Sequence, residues 1–141
     1  MAEGILEALL SQEQRGRIAV DSAGTVDIGA APATTLAREV ALGHGVDLSG
    51  HRSSVLTRAG IDAAGLVLAM TREHEDAVVA LAPGARARTF LLSEFAGAGS
   101  RDVPDPVGGT REEYEAVYRM LLEDLRKALP RIVALAEEAA S

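Results

Sequence analysis

Leu66-Val67-Leu68-Ala69-Met70-Thr71 decides the fold. Five apolar residues in succession, with no polar alternation, read as a buried parallel strand. Thr71 then offers a cap to a helix that carries Ala77, Val78 and Leu81. Thr89-Phe90-Leu91-Leu92 reads as a further buried strand. Upstream, Ile18-Ala19-Val20 is a short apolar run entering the polar turn Asp21-Ser22-Ala23-Gly24-Thr25, so a strand is expected there too. Helices alternate with these strands. Ile5, Leu6, Leu9 and Leu10 predict one over residues 2–10, broken at Arg15-Gly16. Leu36, Ala37, Val40 and Ala41 predict another, with Gly43 and Gly45 near its end. Thr110-Arg111-Glu112-Glu113 has the form of a capping box. Tyr114, Val117, Tyr118, Leu121, Leu122, Leu125 and Leu129 then make one apolar stripe. Pro130 should kink or end that helix, with a further turn or more beyond it. Strands alternating with helices imply a layered α/β domain with a parallel sheet.

The chain has 141 residues, which suits a single domain with one core over residues 1–141. A formal charge of -7 argues against nucleic acid and anionic membrane surfaces as partners. No apolar run approaches the roughly 18 residues of a membrane span. The start is acidic, with Glu3 and Glu7, unlike the basic opening of a signal peptide, so a cytoplasmic protein is expected. Zero cysteine excludes disulfides, thiolate metal sites and thiol catalysis within these residues. The three histidines lack ligand spacing, so no metal or other cofactor is expected.

Asp102-Val103-Pro104-Asp105-Pro106-Val107-Gly108-Gly109 holds the residue with the clearest chemistry. Pro106 fixes its own φ and biases Asp105 away from helix, and Gly108-Gly109 permits a sharp turn before the Thr110 cap. A carboxylic acid on such a loop can protonate a leaving oxygen or nitrogen. The same residues also make an ordinary turn. Ser22 lies where a strand would end, the edge at which open α/β sheets bind ligands, although small polar residues also simply terminate strands. In Asp47-Leu48-Ser49-Gly50-His51-Arg52-Ser53-Ser54, His51 can brace a neighbouring loop through its ring, or be an unremarkable surface histidine. Arg52 can meet an anion or water. His74 reads as a helix-face residue, and Tyr114 and Tyr118 as core. Gly97 to Gly99 lacks the lysine and the strand-then-helix setting of a phosphate-binding loop.

Taken in order, Met1-Ala2-Glu3-Gly4-Ile5-Leu6, Asp21-Ser22-Ala23-Gly24-Thr25, Asp47 to Ser53, Leu66 to Thr71 and Asp102 to Gly109 resemble the low-molecular-weight protein phosphatase family along essentially the whole chain. The family includes phosphotyrosine phosphatases, protein arginine phosphatases and related arsenate reductases. The resemblance implies a three-layer α/β fold, a parallel sheet with helices on both faces. It also implies a phosphorylated protein as substrate. In the family a Cys-x5-Arg loop follows the first strand. Its thiolate attacks phosphorus while backbone N–H groups and the arginine hold the phosphoryl oxygens. An aspartate in an Asp-Pro motif protonates the leaving group, and Asp105 matches it. Ser22 and His51 match positions that brace the phosphate loop.

The departure lies at the start. Met1 matches the residue just after the family's loop, so the first strand, the nucleophile, the phosphate cradle and the arginine are not among these residues. An acid without a nucleophile cannot run this mechanism, and the chain is expected to be inactive as it stands. The missing strand lies inside the family's sheet, so its neighbours should lose backbone partners. Either Met1 is an internal methionine of a longer phosphatase, or the chain is a non-catalytic binding module. Val107 and Gly108 stand where phosphotyrosine enzymes usually carry aromatics, and only 3% of the chain is aromatic, so ring stacking at this loop is not expected. The Asp-Pro-x-Gly-Gly form is more similar to the arginine phosphatase branch, although valine stands at x where that branch often carries an aromatic, and both substrates stay open.

Overall fold

Helices begin where a hydroxyl can accept an orphan N–H of the first turn. In the computed structural model, which describes residues 1–26 and 28–140, Ser11, Thr34, Thr57 and Thr71 each do so. They start α2 (Gln12–Arg15), α3 (Thr35–Gly43), α4 (Arg58–Ala63) and α5 (Arg72–Leu81). Helix α1 (Ala2–Leu9) precedes them. A short α6 (Leu92–Phe95) and a long α7 (Arg111–Ala140) complete the set. Thr110 Oγ1 accepts the N–H of Glu113 at the start of α7. The helix continues through Pro130.

The sheet is built from β1 (Val67–Ala69) and β2 (Thr89–Leu91), paired in parallel with Val67 opposite Thr89 and Ala69 opposite Leu91. Successive strand residues face opposite ways. Val67 joins Ile61, Val78, Ala82 and Ala85 beneath α4 and α5. Leu68 turns to the other face, toward α1, α6 and α7. Helices thus cover both faces, in the three-layer α/β arrangement expected. The larger core joins Ile5 of α1, Val40 and Ala41 of α3, and Tyr114, Val117, Tyr118, Leu121 and Leu125 of α7. No helix among the described residues is long and apolar enough to cross a membrane.

Three expectations need correction. Ile18-Ala19-Val20 forms no strand. A strand needs a paired neighbour for its backbone, and here the N–H of Ile18 donates instead to the carbonyl of Gln14 in α2 (2.8 Å). Leu92 belongs to α6 rather than to the second strand, because β2 gives way directly to a helical turn. The buried stripe of α7 passes through Asp124, Ala128 and Ile132, while Leu122 and Leu129 lie at its half-buried edge. The i, i+3, i+4 spacing selects a polar residue at 124, and that residue is fully buried.

Gly4 shows how closely α1 packs. A Cβ there would stand 2.6 Å from Leu48 Cδ2 and 3.0 Å from Val46 Cγ1, both in the core. Gly4→Ala gains about 1 kcal/mol of helix propensity but overpacks a filled core at about 1–3 kcal/mol. The overpacking should win, giving a net loss of about 1 kcal/mol in denaturant unfolding.

Where α3 ends, His44 Nε2 meets Glu115 Oε1 of α7 at 2.5 Å, and the His44 ring stacks on Tyr118 with centroids 4.3 Å apart. The His44 hydrogen bond holds the Glu115 carboxyl below its ordinary value of 4.5. Burial, helped by the charge of Glu115, pushes the Tyr118 phenol up. A carboxyl depressed on folding contributes stability above its unfolded value, and that stability is lost as pH falls through the folded value. Glu115→Gln should therefore be less stable than the parent above pH 4.5, and the two unfolding midpoints should converge below it. A gap that persists unchanged into acid would contradict this.

Candidate functional site

Two of the three residues singled out from sequence meet on a third that was not. Ser22 Oγ donates to Glu3 Oε1 at 2.8 Å. His51 Nδ1 lies 3.7 Å from Glu3 Oε2. Glu3 sits in the first turn of α1, where the helix dipole favours a carboxylate. Its two oxygens thus bridge segments that are far apart in sequence. The sequence marked Glu3 only as part of an acidic start and of the Met-Ala-Glu motif. Its role as a hub depends on long-range contacts that no local pattern carries.

The segments bearing Ser22 and His51 are fixed to one another by short-range polar chemistry. Ser54 Oγ donates to the carbonyl of Ser22 (2.9 Å). The N–H of Gly24 donates to Ser54 O and that of Leu56 to Gly24 O, both at 2.8 Å, a parallel bridge between Gly24 and Val55. Ser53 staples the next turn, donating through Oγ to Gly29 O (2.6 Å) and accepting from Ala31 N–H (3.0 Å). At the start of this loop, Asp47 Oδ1 accepts the N–H of Ser49 (2.9 Å), which holds the Asp47 carboxyl below its ordinary value. Arg52 donates to the carbonyls of Ser49 and His51, so its guanidinium serves the loop itself.

Could these three residues act as a serine–histidine–acid triad? That chemistry requires the hydroxyl to donate to the imidazole. Ser22 donates to the carboxylate instead, and among the described residues no hydrogen bond joins Ser22 to His51. The cluster can brace; its geometry is not that of an activated serine. Among the described residues no group of three histidine, aspartate or glutamate side chains could hold a metal ion.

Asp105 stands apart, on the loop that leads into α7. The N–H of Val103 donates to Met70 O (2.8 Å), which ties the loop beside the end of β1. Asp105 is exposed, and its Oδ1 accepts the N–H of Val107 (3.0 Å). The N–H of Gly109 closes the turn on Pro106 O (2.8 Å). The two glycines are required here. Gly108 has φ +81°, and a Cβ on Gly109 would meet Pro106 O at 2.9 Å. Val107 projects into solvent with 67% exposure, an aliphatic neighbour for whatever approaches the carboxyl. Among the described residues, no hydrogen bond or ion pair ties Asp105 to Glu3, Ser22 or His51. Two clefts, of about 410 and 510 Å³, flank α2 and the Ile18–Val20 run, and neither is lined by Ser22, His51 or Asp105.

Comparison with known proteins agrees with these features. The family model for low molecular weight phosphotyrosine protein phosphatase matches residues 1–140. A protein-arginine-phosphatase of Geobacillus stearothermophilus is 36% identical over 125 residues, covering 89% of this chain and 81% of the relative. The low molecular weight protein-tyrosine-phosphatase Etp of Escherichia coli K12 is also 36% identical, over 115 residues, covering 82% and 76%. Among solved structures, the low molecular weight protein tyrosine phosphatase from T. tengcongensis superposes with a TM-score of 0.83 at 32% identity, covering 92% of this chain and 88% of that one. The YwlE arginine phosphatase from Geobacillus stearothermophilus superposes at 0.80 with 33% identity, covering 99% and 82%. With a family match over nearly its whole length and a shared fold, the chain belongs to the low molecular weight phosphotyrosine protein phosphatase family.

Proposed function

We propose that these residues form most of a protein phosphatase, with Asp105 as its general acid and Ser22 and His51 as braces of its phosphate-binding loop. The observation that carries this is the Asp105 turn. An exposed carboxyl accepts the Val107 N–H, in a turn that only glycine at 108 fits comfortably. In the family reaction a cysteine thiolate attacks phosphorus. Asp105 would hand its proton to the leaving oxygen of phosphotyrosine or the leaving nitrogen of phosphoarginine. The resulting carboxylate would then take a proton from the water that hydrolyses the cysteinyl-phosphate. The thiol is not among these 141 residues, so hydrolysis needs a Cys-x5-Arg loop supplied from upstream.

Relatives bearing the two substrate names are equally similar to this chain, at 36% identity each. The Gly-Gly after Asp-Pro-Val favours phosphoarginine, and Val107 offers no ring to stack on a phenyl group. We place the protein in the cytoplasm, in keeping with its acidic composition. A non-catalytic binding module is the second reading. That role requires the 141-residue chain to unfold cooperatively and bind a partner unaided; an unfolded or aggregated chain would end it.

The decisive experiment joins an upstream strand and Cys-x5-Arg loop to Met1 and assays a phosphotyrosine peptide and a phosphoarginine protein. Activity should appear with the loop, and Asp105→Asn should lower kcat about a hundredfold or more. Full activity in the Asp105→Asn variant would remove the acid role, and no activity in the joined protein would remove the phosphatase reading.

A further inference from the structure

Three side chains among the described residues are both polar and buried: Thr89, Ser93 and Asp124. Two of them serve a single residue, Arg101. Asp124 is completely buried in α7, and its two oxygens take a bidentate pair of hydrogen bonds from the Arg101 guanidinium, at 3.0 and 2.9 Å. Ser93, also completely buried, clamps the Arg101 backbone from the other side. Its Oγ donates to Arg101 O (2.8 Å) and accepts from Arg101 N–H (2.9 Å).

The next two residues are tethered as well. Asp102 Oδ1 accepts the N–H of Arg72 at the start of α5 (2.9 Å), and Val103 N–H donates to Met70 O (2.8 Å). Three consecutive residues are therefore fixed to α7, α6, α5 and the end of β1. Pro104 and Asp105 follow directly. Before the clamp, the chain passes Gly97 and Gly99, both at positive φ, so its path into residue 101 is set by backbone turns rather than by packing.

A buried charge is an expensive way to hold a loop. Removing a carboxylate from water is costly, and apolar residues of similar volume often stabilise as well or better. The apolar stripe of α7 already fixes that helix against α1 and α3. What the charge adds is direction: a planar guanidinium engaged at both nitrogens permits one orientation of Arg101 relative to α7.

We propose that Arg101, clamped between Asp124 and Ser93, is the positioning residue that sets where Asp105 stands relative to α7. This rests on the reading of Asp105 as the general acid. Arg101 lies four residues from it and acts through the loop, not on the substrate.

The test is amide hydrogen exchange and NMR on the 141-residue chain, so it needs no activity and can fail independently of the acid role. The double variant Arg101→Met with Asp124→Leu removes both charges without leaving either one buried and alone. In that variant the Val103 amide should exchange at least about tenfold faster, while amides of α7 near Tyr118 and Leu121 keep their protection. The Val107 amide resonance, which reports the hydrogen bond to Asp105, should shift or broaden. Arg101→Lys, which keeps the charge but not the fork, should fall between parent and double variant. Equal loss of protection at Val103 and throughout α7 would make the pair merely structural. Unchanged exchange at Val103 with an unmoved Val107 resonance would show that the clamp positions nothing. Either result overturns the proposal.

Discussion

Everything that matters in this molecule hangs on the packing of α1 and α3 against the apolar stripe of α7. Ile5, Val40 and Ala41 close on Tyr118, Leu121 and Leu125, all nearly inaccessible to water. Each large side chain buried there contributes about 1.5–3 kcal/mol. The same contact sets the position of two helix starts. The first turn of α1 presents Glu3 to Ser22 and His51. The start of α7 presents the Thr110 cap that ends the Asp105 turn. The placing of both helix starts is thus inherited from an apolar interface.

Helices α1, α3, α5 and α7 were legible because their information is local, whereas the short α2, α4 and α6 were not read. Periodic apolar residues and a hydroxyl one step ahead of the first turn carry most of it, and Thr71 caps as that pattern requires. Tyr114 and Tyr118 are core, as their place on the stripe implies. Strands are different, because an apolar run states a wish for burial and not the presence of a neighbour. Leu66 to Met70 contains a strand because Thr89–Leu91 lies beside it. Ile18-Ala19-Val20 carries a similar signal and forms none.

The site divides along the same line. Asp105 could be read from Asp-Pro and Gly-Gly, since proline and glycine dictate the turn by themselves. Ser22 and His51 were weak candidates on their own, each with an ordinary structural reading, and the family resemblance singled them out; their meeting point on Glu3 could not be read at all. Arg101 and Asp124 escaped notice for a related reason. An aspartate on a helix is usually solvated, and only the three-dimensional position of residue 124 on the buried side of α7 reveals that it needs a partner.

Family membership and catalytic competence are separate matters here. The scaffold is that of the family, whereas a cysteine, the group that makes and breaks the covalent bond in the family reaction, is not among these residues. The most direct measurement is turnover of a phosphotyrosine peptide and a phosphoarginine protein by the purified 141-residue chain, side by side with its Asp105→Asn variant. The account predicts no turnover by either. Hydrolysis by the parent chain that disappears in Asp105→Asn would show an acid working with a nucleophile other than cysteine, and would contradict it.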